Sequence, residues 1–240
     1  MNTKKRSLWL ELILVILTPV IGMALGVGVN FLLGLNQTDY SNLIINLFFL
    51  LVGVVLVFIF KFSREEVGLG LIKEQAKQHV ILSLVISIFY VLFYIFVIHV
   101  SALKPLSASM YQGLLTYLVV VLAEELYFRG LLYRFFEIRF SARTALIVSS
   151  LLFGLFHAQQ GLSGMVSRTF AGWLWGSVRY STGMIFLLIF PIHFMYNATW
   201  LLFEGSWNNP PVWAIYALPA FEFILGLVIV LIHGKQSENA

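Results

Sequence analysis

Long apolar runs are the feature of this sequence that most restricts what it can fold into. Eight of them follow one another along the 240 residues, with short polar stretches between them. A helix needs about 20 mostly apolar residues to cross the hydrocarbon core of a bilayer. We therefore predict an all-α polytopic membrane bundle with about eight transmembrane helices. The predicted spans are approximately Leu8–Leu35, Leu43–Phe60, Val80–His99, Tyr111–Leu132, Ala145–His157, Met165–Val178, Met184–Phe203 and Val212–Ile232.

The composition also points to a membrane protein. Hydrophobic residues make up 60% of the chain and charged residues 11%, whereas a soluble domain carries roughly 25% charged residues. The sequence contains no cysteine, which excludes disulfides, thiolate catalysis and cysteine metal sites. The first apolar run has no clear small-residue cleavage site before a soluble domain, so it predicts a membrane helix rather than a signal peptide.

The basic residues predict how the bundle is oriented. With the N-terminus placed inside, twelve of the 15 Lys and Arg residues fall in inside segments. Lys104 and Arg168 fall outside, and Arg129 lies within a span. Basic residues concentrate in cytoplasmic loops, so we expect a multi-pass cell-membrane protein with both termini in the cytoplasm. The net charge of +4 is explained in this way and does not indicate nucleic-acid binding.

Most other ionisable side chains are predicted to lie in loops or at span ends. Glu65 and Glu66 fall in a polar loop over residues 61–78, where basic neighbours balance them. Side chains near span ends can extend to the membrane interface. We expect an interfacial position for two acids and three histidines, namely Glu11, Glu222, His79, His99 and His233.

Six polar side chains, by contrast, lie deep in predicted spans. A charge at the bilayer centre costs at least ~2.5–3.5 kcal/mol, so ionisable residues at this depth are functional candidates by default. The six candidates are Glu124, Glu125, Arg129, His157, His193 and Asn197.

Helical spacing divides the first three candidates. Glu125 and Arg129 are four residues apart and share a helix face, so they can form an ion pair. Glu124 is rotated by about 100° from Glu125. Its carboxylate is then free to act as a general base. The alternative is that all three residues form one packing network between helices.

His193 and Asn197 are also four residues apart and share a helix face. Imidazole and amide groups can donate hydrogen bonds to a developing oxyanion. The alternative for His193, and equally for His157, is a hydrogen bond between neighbouring helices.

Depth in the membrane suggests that these groups meet. Glu124 lies 15 residues before Arg139 in a predicted loop, and His157 lies 14 residues after the last arginine of that loop. At 1.5 Å per residue, both are about 21–23 Å from the loop. His193 lies 14 residues after Arg179, on a helix that leaves the same side. The sequence therefore predicts one shared site in the middle or outer half of the membrane.

These residues also carry the motifs of a known family. EELYFR matches EExxxR, FGLFH matches FxxxH, and HFMYN matches HxxxN, in that order. The chain resembles the CPBP family of intramembrane proteases, which includes the type II CAAX prenyl proteases and the bacterial Abi proteins (lysostaphin resistance protein A-like). The resemblance implies a catalytic helical core over residues 106–235, after three N-terminal transmembrane helices in residues 1–105.

The resemblance implies hydrolysis of a peptide bond in a membrane-embedded or lipidated, CAAX-like substrate. The expected partners are membrane lipids and a peptide or lipidated protein, not nucleic acid. Carried over to this chain, Glu124 and His157 activate water, Glu125 and Arg129 support the site, and His193 and Asn197 stabilise the oxyanion.

Metal dependence is left open at this point. Glu124, His157 and His193 could supply three zinc ligands, with water as the fourth. The HExxH signature of many zinc proteases is absent. We favour water held by Glu and His without an obligatory metal, and zinc is the alternative.

Two other functions compete with proteolysis. The first is a non-catalytic membrane protein of bacteriocin self-immunity, which shields a target by contact. The second is a transporter that uses Glu124 and the histidines as a proton relay, although the sequence shows no convincing repeat of the kind found in many transporters.

CAAX processing belongs to the cytoplasmic side, which contrasts with the predicted depth of the site.

Overall fold

Helices account for nearly all regular structure in this chain. The computed structural model describes residues 7–36, 38, 40–205 and 211–238. Within these ranges the only extended pairing is an isolated bridge between Leu103 and Phe203, so the predicted all-α bundle is confirmed. The helices are α1 (Leu8–Leu32), α2 (Tyr40–Phe60), α3 (Lys73–Phe96), α4 (Ala108–Glu125), α5 (Tyr133–Arg139), α6 (Ala142–Phe156), α7 (Gly161–Thr182), α8 (Phe194–Leu202) and α9 (Val212–Glu238).

Each predicted span coincides with a helical segment. Among the described residues, α1, α2, α3 and the Val212–His233 part of α9 are long and apolar enough to cross a membrane alone. The bent pair of α6 and residues 158–182 adds a fifth if it counts as one span. The chain is therefore a membrane helix bundle. Its shorter and more polar helices, α4 to α8, form the part that carries the candidate residues.

Two π-helical segments interrupt this central part. Leu126–Leu132 continues α4 directly into α5, so the chain is helical from residue 108 to residue 139. Leu188–His193 precedes α8 and contains Phe190 in an extended conformation, next to a cis peptide bond with Pro191. His193 is the last residue of this segment and directly precedes α8. Both interruptions thus lie beside candidate site residues, where π-type turns are frequently found.

Helices α6 and α7 pack against each other at very short range. A Cβ on Gly154 would lie 2.6 Å from the carbonyl oxygen of Met165, and one on Gly176 would lie 2.7 Å from the Leu146 side chain. Glycine at these positions lets the two backbones approach closely, as in many membrane helix pairs. The end of α6, which holds His157, is positioned by this contact.

The first two helices pack directly on the central part. The Tyr127 hydroxyl donates a hydrogen bond of 2.7 Å to the carbonyl of Val15 in α1. The Phe49 ring in α2 lies 5.3 Å from the Tyr127 ring and 6.5 Å from the Phe128 ring, edge to face. Helices α1 and α2 therefore support the π-helical turn that follows the acidic pair.

Two side chains that were expected at the membrane interface lie in the interior instead. Glu222 is fully buried and accepts a hydrogen bond of 2.8 Å from Tyr90. His79 is also buried, between the Thr182 hydroxyl at 3.1 Å and the Leu187 amide at 3.3 Å. The interfacial prediction was wrong for both, because their partners come from helices distant in sequence.

The loop between α2 and α3 is fixed to the bundle by charge. Glu66 forms an ion pair of 2.8 Å with Arg134, although Glu65 is exposed as expected. A hydrogen bond from the Ser63 amide, followed by one from Arg134, holds the pKa of Glu66 below its usual range. A carboxyl group with a lowered pKa stays ionised at neutral pH, so this ion pair weakens only in acid.

Arg179 fixes the same loop from the other side. It was predicted to be an exposed inside residue, but it is 5% exposed. Its guanidinium donates hydrogen bonds to the carbonyl oxygens of Arg129, at 3.2 Å, and Glu66, at 2.5 Å. A basic residue selected for topology alone would remain in water, so Arg179 also has a structural role where the loop covers the helix end.

Candidate active site

The six deep polar residues meet at the centre of α4 to α8. A cavity of about 460 Å³ lies among them. Four of the six side chains line it, and the other two lie behind one of its walls. The lining residues are Glu124, His157, His193 and Asn197, and the two behind the wall are Glu125 and Arg129.

Glu125 organises the wall of the cavity. One of its carboxylate oxygens accepts from Arg129 Nη1 at 3.1 Å and from His193 Nδ1 at 2.8 Å. All three residues are at most 1% exposed. The Glu125–Arg129 pair that the spacing predicted is therefore present. His193 is a third member of this group, which the spacing did not predict.

Aromatic rings complete the surroundings of Arg129. Its guanidinium carbon lies 4.1 Å from the Phe153 ring centre and 5.3 Å from that of Trp175. Ring faces attract a buried cation. The Nε and Nη2 atoms of Arg129 have no hydrogen-bond partner among the described residues, so the rings provide part of the stabilisation that hydrogen bonds would otherwise give.

His157 is oriented by the end of α6. Its Nδ1 lies 2.8 Å from the carbonyl oxygen of Phe153. That oxygen is available because the His157 amide bonds instead to Gly154. A carbonyl only accepts, so Nδ1 carries the proton and Nε2 of the neutral ring is an acceptor. Nε2 lies 3.7 Å from one oxygen of Glu124.

His193 presents a second ring nitrogen to Glu124 in the same way. Its Nδ1 donates to Glu125, which leaves Nε2 of the neutral ring as an acceptor, 3.5 Å from the other Glu124 oxygen. Three acceptor groups therefore converge at separations longer than a direct hydrogen bond. A water molecule can donate hydrogen bonds to two of these three acceptors.

The zinc alternative stays a prediction beside the metal-free one. Among the described residues, no group of three or more His, Asp or Glu side chains is arranged so that it could hold a metal ion. Glu124, His157 and His193 all belong to that described part of the chain. Carboxylate–imidazole separations of 3.5 and 3.7 Å are compatible with a molecule or an ion held between the groups.

Arg168 is the residue of the cavity that sequence reasoning missed. It was counted among the outside residues, and it lies within α7 and lines the cavity. Its guanidinium carbon lies 5.2 Å from the Tyr196 ring centre, and its Nε donates to the Gln160 side chain at 3.4 Å. Helix α7 begins at Gly161, so Arg168 lies two turns inside the helix and not at its end. A basic residue within the predicted span Met165–Val178 was the available signal.

The central segment has relatives of known class. Residues 105–199 match the sequence model of the family described as type II CAAX prenyl endopeptidase Rce1-like. All three motifs from the sequence lie within this segment, so the match confirms the resemblance to CAAX-type proteases. A comparison with the curated proteins gave no match. The division of the chain at residues 105 and 106 remains a prediction.

Proposed function

We propose that this protein, whose residues 105–199 belong to the type II CAAX prenyl endopeptidase Rce1-like family, cleaves a peptide bond of a membrane-embedded or lipidated, CAAX-like substrate. One observation carries the proposal. Glu124 faces the Nε2 atoms of His157 and His193 at 3.7 Å and 3.5 Å, inside a polar cavity of a membrane bundle. A carboxylate and an imidazole held in this way can bind and activate one water molecule.

The reaction follows from the hydrogen-bond directions. Water donates one hydrogen bond to Glu124 and one to Nε2 of His157. Glu124 takes a proton as the water oxygen forms a bond to the scissile carbonyl carbon. The same proton then passes to the leaving nitrogen as the C–N bond breaks, which yields a carboxylic acid and an amine.

The oxyanion is stabilised by donors on α8 and on the residue that precedes it. The Asn197 amide can donate directly into the cavity. His193 can donate from Nε2 only as the imidazolium, which the Glu125 carboxylate at Nδ1 stabilises. Glu125 and Arg129 thus act through His193 and position it without touching substrate.

Helix α8 also separates the polar cavity from an apolar groove of about 520 Å³ against α3. Ile192 and Tyr196 face the groove, whereas His193 and Asn197 line the cavity. The apolar part of a substrate fits the groove, and its scissile peptide bond fits the polar cavity. This arrangement supports a substrate that is partly lipid-like.

Cleavage by purified protein in liposomes tests the proposal. A prenylated peptide should be cleaved by the wild type, and Glu124→Gln and His157→Ala should lower kcat at least about 100-fold. Glu65→Gln, which removes an exposed carboxylate, serves as the matched control. Full activity of a folded Glu124→Gln protein would exclude this mechanism.

Two further measurements separate the alternatives. Activity should persist after exhaustive chelation, and a loss that zinc restores would favour a metal mechanism. If Glu124→Gln protein still protects cells against a bacteriocin, contact-based immunity is favoured over proteolysis.

A further inference from the structure

We propose that Arg179 is a positioning residue for the proposed reaction, because it fixes the helical turn that carries Arg129 behind the wall of the cavity. The inference rests on the proposed function and adds one residue to the structure that supports it. Arg179 is not among the residues that line the cavity, so it acts through Arg129 and does not touch substrate.

Arg179 is a buried cation whose hydrogen bonds go to backbone oxygens. Its Nε donates to the carbonyl of Arg129 at 3.2 Å, and its Nη2 donates to that of Glu66 at 2.5 Å. Among the described residues it forms no ion pair. Burial of a charge is costly unless hydrogen bonds compensate for it. The two carbonyl groups, together with the Tyr133 ring centre at 5.5 Å from the guanidinium carbon, supply that compensation.

The Arg129 carbonyl belongs to the π-helical turn Leu126–Leu132. Such turns are rare and occur mostly as single interruptions of α-helices. A carbonyl oxygen has two lone pairs, so this one can accept from Arg179 besides any bond within the turn. Arg129 is thus held at both ends, because its own side chain donates to Glu125 at 3.1 Å. A shift of the Arg129 backbone would move its guanidinium relative to Glu125.

The loop between α2 and α3 covers the same turn. A Cβ on Gly130 would lie 3.1 Å from the carbonyl oxygen of Val67. One on Gly68 would lie 2.9 Å from Arg179 Nη1. The Gly68 carbonyl also accepts from the Ile185 amide at 2.8 Å, just beyond α7. The loop, the π-helical turn and the end of α7 therefore meet around one guanidinium.

Two further contacts connect this position to the cavity. The Glu125 oxygen that accepts from Arg129 also accepts from His193 Nδ1 at 2.8 Å. His193 Nε2 then faces Glu124 at 3.5 Å. A misplacement of about 1 Å in a catalytic site can lower the rate about 100-fold. Loss of Arg179 should therefore lower kcat and leave KM nearly unchanged, since no residue that lines the cavity or the groove is replaced.

Cleavage of a prenylated peptide in liposomes tests this role. In Arg179→Gln we expect kcat to fall about 10- to 100-fold, with KM within about twofold of the wild-type value. Arg179→Lys keeps a charged donor but loses the planar fork, so its kcat should lie between the two. Gly130→Ala keeps every charge but presses on Val67, and it should also lower kcat. Arg143→Gln, which removes an exposed arginine of α6, should keep the wild-type kcat.

A double-mutant cycle distinguishes positioning from a general effect on stability. Residues that act through one another have non-additive effects, whereas independent residues have additive ones. In a Glu125→Gln background, Arg179→Gln should cause little further loss of kcat. In an Asn197→Ala background, Arg179→Gln should cause its full loss, because Asn197 is outside the chain of contacts from Arg179 to His193.

The outcomes separate this inference from the proposed function. Full kcat in a folded Arg179→Gln protein overturns the inference, and so does a loss of equal size in both backgrounds. If melting in detergent shows that Arg179→Gln is unfolded, Arg179→Lys and Gly130→Ala decide, and wild-type kcat in both overturns the inference. Cleavage that does not depend on Glu124 overturns the proposed function instead.

Discussion

Two adjacent carboxylates in α4 have very different surroundings. Glu125 is completely buried and is shared by Arg129 and His193. The Glu124 side chain is 11% exposed and faces the cavity. One carboxylate therefore has a structural position and the other a position open to substrate and water. This division at the scale of single residues underlies the roles that we propose for them.

Removal of the Glu125 carboxylate should destabilise the fold. In Glu125→Ala, Arg129 stays buried without its charge partner, and breaking such a pair costs about 3–5 kcal/mol. Thermal or denaturant unfolding in detergent measures the effect. Glu65→Ala, at an exposed loop position, should change stability very little. A Glu125→Ala protein as stable as the wild type would show that the rings around Arg129 suffice.

At the scale of elements, a chain of contacts connects three helices to His193. Glu222 in α9 accepts from Tyr90 in α3, and the Tyr90 hydroxyl accepts from Trp175 Nε1 in α7 at 3.1 Å. The Trp175 ring then packs 4.2 Å from the His193 ring. We propose a positioning role for Glu222, which does not line the cavity but is connected through this chain to His193, which does.

Tyr90→Phe should disturb this chain of contacts with little change in side-chain volume. Glu222 and Trp175 each lose a buried partner, and each unsatisfied group costs about 1–3 kcal/mol. We expect a lower kcat, because His193 is less well fixed, with little change in KM. Tyr216→Phe removes an exposed hydroxyl from α9 and serves as the control. A higher KM with an unchanged kcat would contradict a positioning role.

The α6–α7 contact gives a second prediction at this scale. Gly154→Ala adds a methyl group 2.6 Å from the Met165 carbonyl oxygen, so the two helices must separate. Since Gly154 lies one turn before His157, both stability and activity should fall. Gly28→Ala in α1 has no neighbouring atom within 4 Å and is the matched control. Equal stability and activity of the Gly154→Ala and Gly28→Ala proteins would contradict the close packing of α6 and α7.

At the scale of the whole molecule, the sequence was most informative where a signal is local or repeated. Apolar runs are repeated, so the helix order was predictable. The Glu125–Arg129 pair lies within one helix, so its spacing sufficed. The positions of Glu222, His79 and Arg168 depend on contacts between distant helices. Hydropathy alone treats any charge near a span end as interfacial, which is why these three were misplaced.

The orientation of the bundle is open to a direct test, because the chain has no native cysteine. Basic residues predict that the α5–α6 turn is cytoplasmic and the α3–α4 loop external. A membrane-impermeant maleimide added to cells should therefore label Ser101→Cys and not Ser141→Cys, both at exposed positions. The opposite labelling pattern would show that the bundle has the opposite orientation. Labelling of permeabilised cells controls for the reactivity of each cysteine.

The position of α8 between groove and cavity has a consequence for turnover. A substrate with its lipid on the Ile192 face and its peptide on the His193 face lies across one helix. Cleavage then produces two fragments that leave into different phases. The lipidated fragment can diffuse laterally into the bilayer, whereas the short peptide escapes to water. Because neither product has both parts, we expect either to rebind more weakly than the intact substrate of the proposed reaction, and product inhibition to be weak.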